Sequence, residues 1–461
     1  MNSHRATVLF IPGHADTFGG GEMYLLRVIS HLDPARFHAV VVLPGEGSLR
    51  EPLETLGAEV IVLEAKFGNV RDPLRWYGRL AEMRHRTHEI VGLIRSKGIR
   101  LVHSNNNTRL DGALAARIAG VPHVYVAHNV RDLDGIYSWL KLDQASFASL
   151  MGSLSTRIVA VSHSVASTLV PPLPTNSVRV IHNGIDFTHF DAAARSPGPD
   201  LRDELGLPQD TVFVTAVGRI SREKGFDYLA EVAARVVAAK PQAHFVVAGS
   251  DSDAQLTAQL RSAVASTGIE ANFHLLGYRQ DLPRLLRQSS IFALSSRSEG
   301  HPYVLLEAMA ARCAIVAFRC TGVEETVADG LTGLLTDVGD VNGMARAILQ
   351  LLADPGQLEH FADAAFTHVR AHFDIVQGVR SLMETYDEAL GERMPPPGDP
   401  LTDLCLDIAH EIGVLGAQVR TLSEKVRELE QLSASLRSNP VVRVVRRAAK
   451  ALRHVRPSSS R

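Results

Sequence analysis

The chain alternates short apolar runs with longer stretches in which apolar positions recur every three or four residues. Six runs come first: ATVLFIP, HAVVVLP, AEVIVLE, RLVHSN, HVYVAHN and RIVAVSH. They are nearly continuous in apolar character rather than strictly alternating, which predicts strands of a parallel sheet buried on both faces. The pattern pauses at NGIDFTHFDAAARSPGPD and restarts with TVFVTAV, AHFVVAG, FHLLG, IFALS, AIVAF and GLLT. An α/β chain is therefore expected, with two Rossmann-like doubly wound domains at residues 1–185 and 186–375 facing a cleft. Residues 376–393 read as a crossover helix returning to the N-terminal domain.

Beyond that helix the pattern changes. MPPPGDP, residues 394–400, is a stiff helix-breaking linker. From 401 to 438 a heptad runs through Leu401, Cys405, Ile408, Ile412, Leu415, Val419, Leu422, Val426, Leu429, Ser433 and Leu436. Mostly β-branched residues at position a and Leu or Ile at d favour a parallel two-stranded coil, and so a homodimer through residues 401–438. Lys425 at g and Glu430 at the next e would attract one another between parallel chains. The alternative is a single amphipathic helix packed on the body. Residues 439–461 close the chain as a basic amphipathic tail. Val441, Val445, Ala448, Leu452 and Val455 share one face, with Arg443, Arg446, Arg447, Lys450, Arg453 and His454 on the other. Such a helix suits peripheral contact with an anionic membrane through residues 440–456; a solvated charged terminus is the competing reading.

Composition narrows the class. A chain of 461 residues, 45% hydrophobic and 21% charged, is a globular protein with sizeable cores. Its net charge of −2 gives no reason to expect nucleic acid. After Glu430 there are eight basic residues and no acidic one, so the preceding part carries −10. Three cysteines without C-x-x-C spacing, Cys313, Cys320 and Cys405, argue against a disulfide framework or zinc site. No secretory signal and no membrane-spanning run is evident. The expected location is the cytoplasm, peripheral at the inner face of the cell membrane if the tail binds lipid.

Candidate chemistry lies in three loops. In SSRSEGHPYVLLEAMA, Pro302 suits the first position of a helix, so the amides of Tyr303, Val304 and Leu305 would form an anion site at its positive end. Glu299 before the helix and Glu307 within it would accept hydrogen bonds from hydroxyls. A phosphate between two sets of hydroxyls, as in a nucleotide-sugar, matches that arrangement. In TAVGRISREKGFDYLAEV, Arg219 and Lys224 follow a strand and precede a helix, a placing suited to a diphosphate. In GHADTFGGGEMYLL, Gly19, Gly20 and Gly21 leave room for close approach of backbone to phosphate. This loop does not fit G-x-G-x-x-G, and no G-x-x-x-x-G-K-[ST] occurs, which removes the main support for a dinucleotide or ATP site.

Together these stretches resemble the retaining, nucleotide-sugar-dependent glycosyltransferases of the GT-B fold, family 4. GGGE resembles their glycine loop, GRISREKG their G-R-x-x-x-x-K-G motif and EGHPYVLLE their E-x7-E motif. TGVEETVADGLTGLL resembles their last glycine-rich segment, and VIHNGID their hinge; the likeness covers residues 6–390. It implies transfer of a sugar from a nucleoside diphosphate to a glycan or lipid-linked acceptor, in cell-surface polysaccharide or glycoconjugate synthesis, with no cofactor and no metal. Arg219 and Lys224 would neutralise the diphosphate, Glu299 would hold the donor sugar and Glu307 the ribose. Gly19 and Gly20 would close over the diphosphate, and His128 would position the sugar. Gly300, His301, Pro302, Tyr303 and Val304 would border the donor. Gly322 and Val323 would lend amides, beside Glu325. Asn183 and Asp186 look structural. A non-catalytic scaffold assembling partners through the coiled coil, and a GT-B-fold sugar-nucleotide epimerase, remain as alternatives.

Overall fold

The computed structural model describes residues 5–438 apart from 17–18, 66–75, 106–109, 130–142, 175–176, 252, 393 and 395–399. The first domain runs β1 (Ala6–Pro12), α1 (Gly20–His31), β2 (Phe37–Leu43), α2 (Arg50–Thr55), β3 (Glu59–Val62) and α3 (Trp76–Ser96). It continues with β4 (Leu101–Asn105), α4 (Asp111–Ala119), β5 (His123–Ala127), α5 (Gln144–Leu154), β6 (Arg157–Ala160), α6 (His163–Ser167) and β7 (Val178–Val180). All seven strands are parallel, in the order β3-β2-β1-β4-β5-β6-β7. Six match the apolar runs. β7 was missed, because Arg179 at its centre breaks the apolar run.

The second domain begins with α7 (Phe187–Ala194), α8 (Leu201–Leu205), β8 (Val212–Val217), α9 (Phe226–Ala239), β9 (Ala243–Ala248), α10 (Ala254–Thr267) and β10 (Phe273–Gly277). Then come α11 (Leu282–Arg287), β11 (Ile291–Leu294), α12 (Tyr303–Ala310), β12 (Ala314–Phe318), β13 (Leu334–Thr336), α13 (Val341–Ala353) and α14 (Pro355–His372). Its six parallel strands lie in the order β10-β9-β8-β11-β12-β13. Strand interiors such as Val40, Val41, Val42 and Ile315, Val316, Ala317 are buried, as two helical layers over each sheet require.

In each sheet the chain reverses its winding at one point, between β1 and β4 and between β8 and β11. Loops leaving neighbouring strands there turn to opposite faces and open a crevice at the strands' carboxyl ends. The loops after β1, β8 and β11 carry the three candidate motifs.

Two segments cross between the domains side by side: Ile185 pairs with Asp374, exchanging backbone hydrogen bonds with Phe373 and Ile375. α15 (Ile375–Gly391) then packs on the first domain. Buried Tyr386 shares a 2.6 Å hydrogen bond with His103 Nδ1 inside β4. Arg179 reaches Thr385 Oγ1 at 2.9 Å and Glu388 at 2.7 Å.

The last described element is α16 (Pro400–Ser438). It is one helix, antiparallel to α3, with His410 Nδ1 2.7 Å from the Ala81 carbonyl and Arg84 paired with Asp407. Thr402, Leu406, Gly413 and Gly416 are buried on that side. The docking face is not the heptad seam. The basic tail lies outside the described residues.

Buried imidazoles, His103, His123 and His301 foremost, make the fold acid-sensitive. Burial holds His103 far below its ordinary value, and His123 and His301 down to about 3. The unfolded chain takes up these protons near pH 6.5, whereas the folded chain resists them. Stability from neutral rings is thus complete above 6.5 and is lost as the pH falls. Thermal unfolding should show a Tm several degrees lower at pH 5 than at pH 7.5, with each ring contributing on the order of 1 kcal/mol. An unchanged Tm would refute the assignment of neutral rings.

Candidate functional site

The loops after β8 and β11 are zipped together. Gly225, at φ +63°, ends a turn over Arg222–Lys224, and a Cβ there would lie 2.1 Å from the Ser295 carbonyl oxygen. Only glycine allows that approach. It brings Lys224 Nζ to 2.7 Å from Glu299 Oε1, which also accepts from Ser296 Oγ at 2.6 Å. Arg297 holds the outer side, bonding Asp227 at 2.6 and 2.9 Å and the Arg222 carbonyl at 2.7 Å. The Lys224 and Glu299 side chains are 22% and 10% exposed, so the pair is largely shielded.

α12 starts beside this pair. Pro302 is its N-cap, not its first helical residue, with φ −74° and ψ 117°. The Leu305 amide is bonded to the Pro302 carbonyl at 3.1 Å. The anion-binding end expected from three free amides is thereby reduced to Tyr303 and Val304. Val323 is corrected in the same way, because its amide donates to the Cys320 carbonyl at 3.1 Å. Gly322, at φ +79°, instead lets its loop lie against the Gly300 carbonyl, 2.2 Å from where a Cβ would stand.

The first domain meets these loops closely. A Cβ on Gly300 would lie 1.9 Å from the His128 carbonyl oxygen, and one on Gly20 would lie 4.0 Å from the Tyr303 ring. His128 is held by a hydrogen bond to Asn105 and an edge-on contact with Tyr24 at 4.8 Å between centroids. Burial lowers its pKa to about 4, so at neutral pH the ring is an uncharged hydrogen-bonding group. Gly19 caps α1 beside the Glu22 carboxylate, and a Cβ there would lie 2.2 Å from Glu22 Oε2. Burial lifts the Glu22 carboxyl to about 7, against the pull of amides at Glu22 and His14 and of the Arg219 charge. Arg219 itself is exposed and works across the cleft on Glu22.

Two expected donor contacts face elsewhere. The His301 ring is buried in the hinge, 5.0 Å from His182 and 5.3 Å from Phe373, and Asn183 Nδ2 donates to its carbonyl at 2.7 Å. It packs there because the loop before α12 runs under the crossover segments. Glu325 reaches the other domain. It accepts from the amides of His163 and Ser164 and the Ser164 hydroxyl, each at 2.7 Å, and meets His182 Nε2 at 3.0 Å. Burial alone would raise its pKa, but these donors hold it down to about 2. His163, His182 and Glu325 offer ligand atoms within 4.8 Å of one another. Both carboxylate oxygens already accept from backbone amides, so the trio reads as a clasp between domains.

Sequence reasoning missed Arg27. On α1, it pairs with Glu307 at 2.5 Å, covers the Tyr303 ring at 4.2 Å and lies 3.4 Å from the Gly184 carbonyl. One cation thus ties the first domain, α12 and the hinge. A charge inside the apolar run LLRVIS, two turns after the glycine loop, was the available signal. Asp186, read as structural, caps α7 through the His189 amide at 2.9 Å and meets His31 Nε2 at 3.3 Å.

Arg27→Met should destabilise the protein by about 1–3 kcal/mol, because it strands a mostly buried Glu307 carboxylate. Urea unfolding measures this, and an unmoved midpoint would show that Arg27 carries no clasp.

Known proteins share both halves of this arrangement. The profile described as "Glycosyltransferase Family 4" matches residues 18–189, and "Glycosyl transferases group 1" matches residues 199–368. The alpha-maltose-1-phosphate synthase of Mycolicibacterium smegmatis is 31% identical over 310 residues, covering 62% of this chain and 78% of that protein. The UDP-Gal:alpha-D-GlcNAc-diphosphoundecaprenol alpha-1,3-galactosyltransferase of Escherichia coli is 26% identical over 309 residues, covering 64% and 76%. Among solved structures, Anabaena HepE in complex with UDP and glucose superposes with a TM-score of 0.70 at 23% identity, covering 83% of this chain and all of that one. With this fold, these matching halves and a synthase of that identity, the chain belongs to the family 4, group 1 glycosyltransferases of GT-B architecture.

Proposed function

We propose that the protein moves a hexosyl group from a nucleoside-diphosphate sugar to a glycan or lipid-linked acceptor, with retention of anomeric configuration. The Lys224–Glu299 pair carries this reading. A shielded ammonium and carboxylate at a switch-point crevice, beside a helix start, match the two parts of such a donor, phosphate and sugar hydroxyls. On binding, diphosphate oxygens replace Glu299 as the partner of Lys224, and Glu299 turns to the sugar. Arg219 and the amides of Tyr303 and Val304 add positive potential where charge develops. Glu307 faces the ribose hydroxyls once Arg27 shares it. The neutral His128 donates or accepts a hydrogen bond at the sugar.

The bond from the anomeric carbon to phosphate oxygen breaks, and its electron pair leaves with the diphosphate. The acceptor oxygen bonds the same carbon from the same face, and its proton passes to the departing phosphate oxygen. Because side-chain cations meet the diphosphate charge, no divalent cation is required, and activity should survive EDTA. UDP-sugars head the donor panel, since the Escherichia coli relative is named for UDP-Gal and HepE was solved with UDP.

Lys224→Met and Glu299→Gln should each lower kcat by about 10²-fold or more. Each leaves a shielded partner unpaired, so a stability loss of about 1–3 kcal/mol is expected beside it, with the chain still folded at the assay temperature. Full activity in either would sink the site assignment. Nuclear magnetic resonance of the first product shows its anomer, and an inverted one would overturn the mechanism while leaving the transferase reading standing.

Among the described residues no helix is long and apolar enough to cross a membrane. The basic tail is proposed to hold the enzyme at an anionic lipid surface on the cytoplasmic side, near a lipid-linked acceptor. Flotation with vesicles containing acidic phospholipid should carry the full chain, and lose it when residues 440–461 are removed or salt is raised. Equal flotation of both chains would end this part of the proposal.

A further inference from the structure

α16 has two apolar faces, and the body covers one. Thr402, Leu406, Gly413 and Gly416 are buried on the side packed against α3. At 100° per residue the heptad seam is centred about 110° round the axis from that face. From Ile408 to Leu429 its residues are exposed: Ile408 51%, Ile412 44%, Leu415 59%, Val419 62%, Leu422 62%, Val426 53% and Leu429 64%. The antiparallel packing on α3 also runs out. His88 meets Asp403 and Ala81 meets His410, so Trp76, the first residue of α3, lies opposite about Leu415 and the part from Leu422 onward is past it. Residues 421–431 are exposed on every side. That exposed stretch of the helix is about 16 Å long, and a lone helix so short is marginal in water.

We infer that the seam of α16 is an interface for a second copy of this chain, paired parallel and in register as a two-stranded coil. Residue choice points to this occupant. Position a holds β-branched Ile412, Val419 and Val426, and position d holds Leu415, Leu422 and Leu429, the combination for parallel dimers. Lys425 at g faces Glu430 at e of the partner helix, five residues on, so charge complements the seam where it is free of the body. Docking on α3 uses the other face and leaves the seam open to its partner. Parallel pairing sends both chains onward from Ser438 at the same end of the coil, which concentrates two basic tails at one place. The inference is independent of the reaction catalysed.

Cys405 tests direction and register together. It occupies position a, is exposed, and is accompanied only by the buried Cys313 and Cys320. In a parallel in-register coil the two Cys405 thiols face one another across the twofold axis. Mild oxidation with diamide should convert the full chain to a disulfide-linked dimer on a non-reducing gel, and Cys405→Ser should abolish that band. Light scattering of the untreated full chain should give the mass of two chains of 50.1 kDa. Leu422→Glu with Val426→Glu, at positions already exposed in the single chain, should raise the dimer dissociation constant at least 100-fold while leaving catalytic turnover of the monomer unchanged. Lys425→Glu should weaken the dimer, and adding Glu430→Lys should restore it. A monomeric mass at micromolar concentration overturns the inference. A dimer that survives Leu422→Glu with Val426→Glu also overturns it, by placing the interface elsewhere. A dimer without the Cys405 cross-link overturns the parallel register.

Discussion

The ion pair between Lys224 and Glu299 depends on backbone passing where no side chain fits. Gly225 lets the turn after β8 lie on the Ser295 carbonyl, and Gly300 lets the loop after β11 lie on the His128 carbonyl of the other domain. A methyl group at either place would stand 2.1 or 1.9 Å from that oxygen and push the loops apart by about 1 Å or more. The two opposite charges could then not share a shielded space, nor could the helix start stand beside them. The site is a consequence of close packing at the switch points, with the chemistry placed on whatever the glycines bring together.

The contacts at the cleft differ in kind from the cores. Within each sheet, buried Val, Ile, Leu and Phe fill the layers, and their separation would expose apolar area that water penalises. One apolar cluster continues from the first domain through the hinge into α12 and β12, and polar ties add to it at the cleft: Glu325 with the start of α6 and His182, Arg27 with Glu307, and Asn183 with the His301 carbonyl. Such bonds exchange with water at a small net change in free energy. The hinge, where Ile185 pairs with Asp374, keeps the domains registered meanwhile. A cleft held by exchangeable polar ties is suited to admitting a charged, hydroxyl-rich ligand and closing on it.

α16 shows how one helix serves two purposes. Small and apolar residues at Thr402, Leu406, Gly413 and Gly416 seat it on α3, while the heptad on another face stays exposed. Of the two readings of this segment, a coil and a helix packed on the body, the helix is seen and is packed, but by the face that the heptad does not use.

Much of the molecule was legible in the sequence, because strand runs, helix periods and turn residues are local. Twelve apolar runs marked twelve of the thirteen strands, and only β7, with Arg179 at its centre, escaped. Arg219, Lys224, Glu299 and the start of α12 were also legible, since each lies just after a strand at the ligand edge of a doubly wound sheet. Partnership was not legible, because it is set by atoms far apart in the chain. Sequence gave no means to see Arg27 on Glu307, 280 residues away, or Glu325 on Ser164, 161 residues away. Nor could it show that His301 turns into the hinge, or that the amides of Leu305 and Val323 are already bonded. Local propensity and hydrophobic period determined the elements and the loops that bear charge. Which charges meet, and which donors stay open to a ligand, was decided only by the three-dimensional approach of two domains.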